Sequence, residues 1–292
     1  MRTAFRAPDV RIEKAKAELL ARWPTPAGSN PAFLDLLGHE RARGVTAATF
    51  HSVCARLLRK HAQLFGRTEH YTIYDQGDMR RVIDWILADK ERAVVQHALS
   101  ECGQPGSAEV QGAIALAKNQ LLAPDPYAAG SPHPAAAVIA AVWRECEQEL
   151  RRSNAWDFDD LLAFAVRLLR EHPYRLRWIR YRWRWLLVDE FQDVNRAQAE
   201  LVTLLAGPDG NIAVVADEDQ VIHSWRGALP ENVHAFAEQY PRHREVLLAR
   251  NFRSGTEILE AASRCVAHNQ RRVQKVLVAV RGQGGHVYVH GF

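Results

Sequence analysis

The sequence predicts an α/β protein, a mainly parallel sheet with helices on its faces, entered through a long helical stretch. Two observations lead to this. Residues 185–188, 212–215 and 246–249 are short apolar runs, and each is followed by a helical pattern, at 195–206, 231–240 and 255–268. The first two runs lead straight into acidic residues, and in sheets of this kind chemistry gathers at the carboxyl ends of the strands.

Taken in chain order, residues 1–44 say least. Ile12, Ala15, Leu19 and Leu20 fall at helical spacing and run into a Pro/Gly/Ser break at 24–31. Phe50, Val53, Cys54, Leu57, Leu58 and Phe65 then mark a helix starting within or just after 49–52. Met79, Val82, Ile83, Ile86 and Leu87 mark a second, with Asp78 expected as its N-cap. The stretch 89–135 is loosely patterned, and 123–134 reads as a Pro/Ala/Gly linker. Val138, Ile139, Val142, Trp143, Cys146 and Leu150 form one side of a long amphipathic helix. Another helix starts at Asp157, with Asp160 three residues on and a stripe of Phe158, Leu161, Leu162, Ala165, Leu168 and Leu169. Asn195 with Gln198 forms a capping box for the pattern that follows the first strand.

A chain of 292 residues, 47% hydrophobic and 25% charged, has the composition of a globular protein with room for a core, and for one large domain or two to three small ones. The net charge of +4 mildly favours an anionic partner. Cys54, Cys102, Cys146 and Cys265 are scattered without CxxC spacing, which argues against a disulfide framework or zinc site and for idle thiols in a reducing compartment. No apolar run approaches the ~20 residues of a membrane span and no signal peptide is evident, so the expectation is a cytoplasmic protein without a membrane partner.

The strongest local signal is Leu186-Leu187-Val188-Asp189-Glu190-Phe191-Gln192-Asp193. An apolar strand ending in Asp-Glu suits metal-dependent nucleotide hydrolysis: the Asp can hold Mg²⁺, the Glu can polarise a water. A buried strand entering an acidic turn is the plainer explanation of that pair alone; the following Phe-Gln-Asp makes the pattern more specific. The second signal runs from Val214 to Ala228 and contains Asp217, Gln220, His223, Trp225, Arg226 and Gly227. Gln220 after a strand can sense a phosphate or its attacking water, and Trp225 beside Arg226 pairs a stacking face with a phosphate-binding cation. A core Trp beside a solvated Arg is the competing account.

Together, DEFQD at 189–193 and DxxQxIxxWRGA at 217–228 resemble motifs II and III of UvrD/Rep-like superfamily I DNA helicases. Leu247 to Ser254 resembles that family's motif IV, and Thr49-Phe50-His51-Ser52 its TFHS motif. Weaker echoes sit at Tyr74-Asp75, Lys118-Asn119, 157–162 and 269–277, all in the family's order across about 45–285. The resemblance implies a truncated RecA-like P-loop NTPase motor domain with a helical insertion. Its expected divisions are a divergent segment 1–44, part of the first motor domain at 45–75, the insertion at 76–165, the rest of that domain at 166–229 and the start of a second at 230–292. It implies ATP and Mg²⁺ as cofactors, and ATP-dependent translocation on DNA in repair or recombination, with 3′-to-5′ polarity. Asp189 would hold Mg²⁺, Glu190 act as base, Gln220 sense the γ-phosphate and Arg253 serve as an arginine finger. Thr49, Phe50, His51, Ser52, His223, Trp225 and Arg226 would meet single-stranded DNA, next to duplex DNA.

Departures bear on these expectations. Ala216, Val221, His223 and Phe252 stand where the family usually has Gly, Ser, Tyr and Tyr, and Ala216 is harmless only where φ is negative. No Lys precedes Ser or Thr, so the sequence holds no GxxxxGK[ST], and nothing matching motifs V and VI follows. Two readings therefore stand: part of an enzyme that works with a polypeptide supplying the missing motor segments, or a non-catalytic DNA- or partner-binding fragment, including a decaying gene product. Residues 174–185 interleave Arg with Tyr and Trp, as a nucleic-acid surface does. In the family a basic-aromatic helix leads into the DE strand as scaffold, so the expectation here is packed rings and solvated arginines.

Overall fold

The computed structural model describes residues 45–208, 210–220, 231–269, 275–288 and 290. The chain divides into two compact units, Phe50–Pro241 and a second made of Met1–Thr49 with Arg242–Phe292.

The larger unit opens with helix α1, Phe50–His61, which buries Cys54, Leu57 and Leu58 on one face and ends in three basic residues suited to the helix dipole. A 3-10 turn, Ala62–Phe65, closes on Gly66 at φ 68, a left-handed position that glycine occupies without strain. Strand β1, Thr72–Tyr74, follows and pairs in parallel with β2, Ala155–Asp157, so all the helices between them form one excursion. Those helices are α2, Gln76–Ala88; α3, Ala93–Cys102; α4, Ser107–Asn119; α5, Pro124–Gly130; and α6, Ala136–Arg152. They enclose a core of their own around Ile83, Ile86, Val110, Val138, Ile139, Val142, Trp143 and Leu150.

Two expectations fail in this excursion. The N-cap of α2 is Asp75, whose carboxylate accepts from Asp78 N at 2.8 Å, while Asp78 sits at N3 and accepts in return from Asp75 N at 3.1 Å. Both are aspartates in a reciprocal box, so residue type could not separate them; the extended backbone of Asp75 does. The 123–134 linker contains α5, begun by Pro124 at its first helical position, where a missing N–H costs nothing. Helices α3 and α4 bury few apolar side chains, Val95 and Ala98 in the first and Val110, Ile114 and Ala117 in the second, too sparse a stripe to stand out as a helical period.

After β2 comes α7, Phe158–Glu171, capped by Asp157 in a box with Asp160, as the spacing predicts. Helix α8, Pro173–Arg182, then leads into β3, Leu186–Val188. A 3-10 turn at Phe191–Asp193 and helix α9, Arg196–Ala206, capped by Asn195 with Gln198, connect β3 to the parallel strand β4, Ile212–Val214. Helices α1, α7, α8 and α9 share a second core with Trp156 at its centre. Val188, Phe191, Val194 and Val202 form a third, joined by Phe236 of α10, Glu231–Gln239.

In the second unit the strand expected at 246–249 is not one. Val246, Leu247 and Leu248 are about half exposed, and the strand is β5, Arg250–Asn251, paired in parallel with β6, Val278–Ala279, across helix α11, Thr256–Val266. An apolar run becomes a strand only where a partner strand lies beside it, and β6 meets the residues that follow the run. Among the described residues the strands form three separate parallel pairs and not one continuous sheet, so the mixed α/β character that the alternation of runs implied is present in small sheets.

Candidate functional site

The end of β3 carries the acidic pair. Asp189 and Glu190 are both exposed, and Glu190 adopts φ 50, ψ 44. A left-handed glutamate is strained by ~1–2 kcal/mol, and such strain persists where the surroundings over-determine it. Phe191 N donates to Val215 O at 2.9 Å, which turns the chain toward β4 directly after Glu190. Gln192, 1% exposed, holds the next link. Its amide donates to Glu190 Oε2 at 2.6 Å, and its carbonyl oxygen accepts from Asp217 N at 3.0 Å. Gln220 in turn donates through Nε2 to Asp217 Oδ2 at 2.6 Å. Glu190, Gln192, Asp217 and Gln220 thus form one hydrogen-bonded series across the ends of two parallel strands. Among non-glycine described residues only Leu121, Asn154 and Glu190 have positive φ, so Ala216 tolerates its methyl group.

Residues Val221, His223, Trp225 and Arg226 lie outside the described residues. At the other expected DNA segment, Thr49 and Ser52 are exposed, Ser52 in the first turn of α1. Phe50 packs against the second and third cores. His51 stacks on Phe158 with ring centroids 4.1 Å apart, and burial lowers its pKa to about 4, so it is neutral at physiological pH. In the second unit, Asn251 Oδ1 accepts from Arg253 N at 2.9 Å and Ser254 N at 2.8 Å, a side-chain-closed turn that leaves Arg253 exposed.

Two of the weaker echoes, Lys118-Asn119 and 157–162, meet in space. Lys118 Nζ, on α4, lies 2.5 Å from Asp157 Oδ2 and 2.7 Å from Asp160 Oδ1, all three side chains being less than a tenth exposed. Burial opposes the Lys118 charge, but the two carboxylates outweigh it and raise its pKa above the usual range. Asn119 donates to Asp159 Oδ1 at 3.0 Å and accepts from Asn195 Nδ2 at 2.7 Å. Asn195 caps α9, the helix after the DEFQD turn, so a short polar chain ties the helical excursion to that turn. Sequence reasoning missed Gln192, Asn119 and Asn195 as participants; the only signal was their place inside or beside motifs.

The acidic residues suit a magnesium ion held by one or two carboxylates with phosphate and water completing its shell, the usual habit of this ion. Among the described residues no cluster of three or more His, Cys, Asp or Glu side chains forms a self-sufficient metal cage. The triphosphate is a different matter: a cradle of backbone amides with a Lys is encoded nowhere in the 292 residues.

The sequence model for the UvrD/REP helicase N-terminal domain matches residues 11–241. The chain belongs to the UvrD/REP helicase family. It is 34% identical over 252 residues to an ATP-dependent DNA helicase PcrA of Leuconostoc citreum, covering 86% of this chain and 33% of that protein. It is 36% identical over 256 residues to the ATP-dependent DNA helicase UvrD1 of Mycobacterium tuberculosis strain H37Rv, covering 84% and 32% respectively. A PcrA of Staphylococcus aureus strain Mu50 is 32% identical over 251 residues. The chain therefore spans about a third of the length of the UvrD/REP relatives it matches. Among the described residues no helix is long and apolar enough to cross a membrane. Of the four thiols, Cys54 and Cys146 are buried, which pushes each up to about 12, while Cys102 and Cys265 are exposed.

Proposed function

We propose that this chain forms part of the RecA-like motor of an ATP-dependent, 3′-to-5′ DNA translocase acting in repair or recombination, with the helices between β1 and β2 as its insertion. In this reading, with a phosphate loop supplied by another segment, Asp189 would hold Mg²⁺, Glu190 would accept a proton from water, Gln220 would sense the γ-phosphate, and Arg253 would supply positive charge to the phosphoryl group. When bound, the Mg²⁺–ATP pair supplies a polarised phosphoryl group. The segment 49–52 together with His223, Trp225 and Arg226 lines the DNA strand.

The observation that supports this most is the two-sided bond of Gln192. It fixes the carboxylate of Glu190, whose backbone is left-handed, and ties it to the loop that carries Gln220, an arrangement useful for keeping a base and a phosphate sensor in step.

The absence of GxxxxGK[ST] from the 292 residues favours a second reading for the isolated polypeptide, a DNA- or partner-binding piece without ATP turnover of its own. One experiment separates the two. Residues 1–44 are replaced by a segment carrying a phosphate loop, and binding of a non-hydrolysable ATP analogue is titrated calorimetrically with and without Mg²⁺. Mg²⁺-dependent binding that Asp189→Ala weakens at least tenfold supports the motor reading. A folded graft that binds no nucleotide, or binds equally after Asp189→Ala, sinks it.

A further inference from the structure

The packing expected for the rings of residues 174–185 does not hold. Helix α8 buries only Leu176 and Ile179, and Trp183 is partly buried. Tyr174, Trp178 and Tyr181 are 77%, 53% and 71% exposed. The reason lies in the helical period. Leu176 and Ile179 face the core, so residues 174, 178 and 181, spaced four and three apart, share a different, outward face. Large rings are costly to leave in water, and three on one helical face form a patch that calls for a ligand.

The cations beside these rings narrow the ligand. No acidic residue occurs between His172 and Val188, while Arg175, Arg177, Arg180, Arg182 and Arg184 all do. Two of the five turn inward: Arg180 Nε donates to Leu204 O at 2.7 Å, and Arg175 lies 3.0 Å from His61 Nδ1. Arg177 stands over the Tyr174 ring at 5.8 Å and Arg184 over the Tyr181 ring at 5.2 Å. Among the described residues no carboxylate lies within ion-pair distance of Arg177, Arg182 or Arg184.

We propose that the outer face of α8 is a second single-stranded nucleic-acid site, in which Tyr174, Trp178 and Tyr181 stack on bases and Arg177 and Arg184 hold phosphates. Successive rings are separated by about 6 and 4.5 Å of helical rise, room for consecutive unpaired bases along the strand. A duplex keeps its bases stacked inside and would leave the rings idle; an acidic peptide would use the arginines but not three flat aromatic surfaces. The site is separate from the segment 49–52. Arg175 joins α8 to His61 at the far end of α1, about 16 Å along that helix from Phe50. It does not depend on ATP-driven translocation.

The test uses the 292-residue chain and a fluorescein-labelled twelve-thymidine strand, read by anisotropy at fixed salt, with a blunt duplex of equal length beside it. Tyr174→Ala/Trp178→Ala/Tyr181→Ala should weaken binding of the single strand by at least about tenfold, the scale of one or more lost stacked bases, and of the duplex by less than about twofold. Arg177→Gln/Arg184→Gln, which keeps every ring, should flatten the log–log salt slope by about 1.4, or ~0.7 for each phosphate released. A 4-thiothymidine strand should crosslink to the peptide carrying α8. His51→Ala/Ser52→Ala, at the other segment, should leave that crosslink in place, so failure of the reading for 49–52 is distinguishable from failure here. A wild-type chain that does not bind the strand, an unchanged dissociation constant in the ring variant, equal losses for duplex and single strand, or crosslinks confined to other peptides would each overturn the proposal.

Discussion

Replacing Lys118 with methionine tests the polar chain that joins the helical excursion to the rest of the larger unit. The ammonium lies 2.5 and 2.7 Å from two carboxylates, and none of the three groups has useful access to water. At an effective dielectric of about 20 the two attractions sum to roughly 13 kcal/mol, most of it offset by desolvation of three ions. Removing the ammonium leaves two carboxylates in contact, and the cheapest relief is a proton on one of them. Taking a proton at about pH 7.5 onto a group of ordinary pKa near 3.9 costs about 5 kcal/mol, which caps the damage. The capping box survives, because Asp157 and Asp160 still accept from each other's backbone N–H. The expected loss is therefore about 3–5 kcal/mol at about pH 7.5. The sign of the pH dependence follows from the charge left behind. Burial and then the Asp157 charge already hold the Asp160 carboxyl above its usual range, and losing Lys118 raises it further. A raised folded pKa contributes stability below the unfolded value and loses it as pH rises, so the deficit should diminish with acid, most of the change falling above about pH 7, where Asp160 of the parent chain gives up its proton. Urea unfolding followed by tryptophan fluorescence and far-UV dichroism measures this, and Lys118→Met/Asp160→Asn should recover at least half of the loss at neutral pH. A deficit under ~1 kcal/mol, or one that does not diminish with acid, would refute the reasoning.

Asp159 offers a complementary test. Burial, and then the neighbouring Asp157 charge, raise its pKa to about 6, so its stability contribution is present below the unfolded value of about 3.9 and lost as pH rises through about 6. Asp159→Asn should stabilise the chain by on the order of 2 kcal/mol at about pH 7.5 and have little effect near pH 4, by urea titration at both. Gln192→Ala should cost about 2–3 kcal/mol and speed hydrogen exchange of the Asp217 amide at least tenfold, because a buried, charge-assisted pair of bonds is lost. Glu190→Gly should raise stability by about 1 kcal/mol through relief of a left-handed non-glycine residue, read by urea unfolding. The ungrafted chain should show no DNA-stimulated ATP hydrolysis at all; turnover that Glu190→Gln removes would contradict it.

Much of the larger unit was legible in the order of residues. Asp157 with Asp160 and Asn195 with Gln198 announce helix starts because a cap is a local device, set by residues three apart. The runs ending at Val188 and Val214 announce parallel strands because their partners lie one helix away and both are apolar. The ordered motifs announced the family for the same reason: each is a short string whose chemistry needs its members adjacent. Tertiary structure decided what depends on partners distant in sequence. The run at 246–249 forms no strand because β6 meets the next residues, and the linker at 123–134 holds a helix because a core of neighbouring helices pays its ordering cost. Lys118 and Asn119 read as faint echoes until the fold set them against Asp157, Asp160 and Asn195. The rings of α8 could be assigned to core or surface only once Leu176 and Ile179 had fixed which way that helix turns. Composition and periodicity specify that a helix has a buried face; only the packing of α7 and α9 against α8 determines which residues are left to meet a ligand.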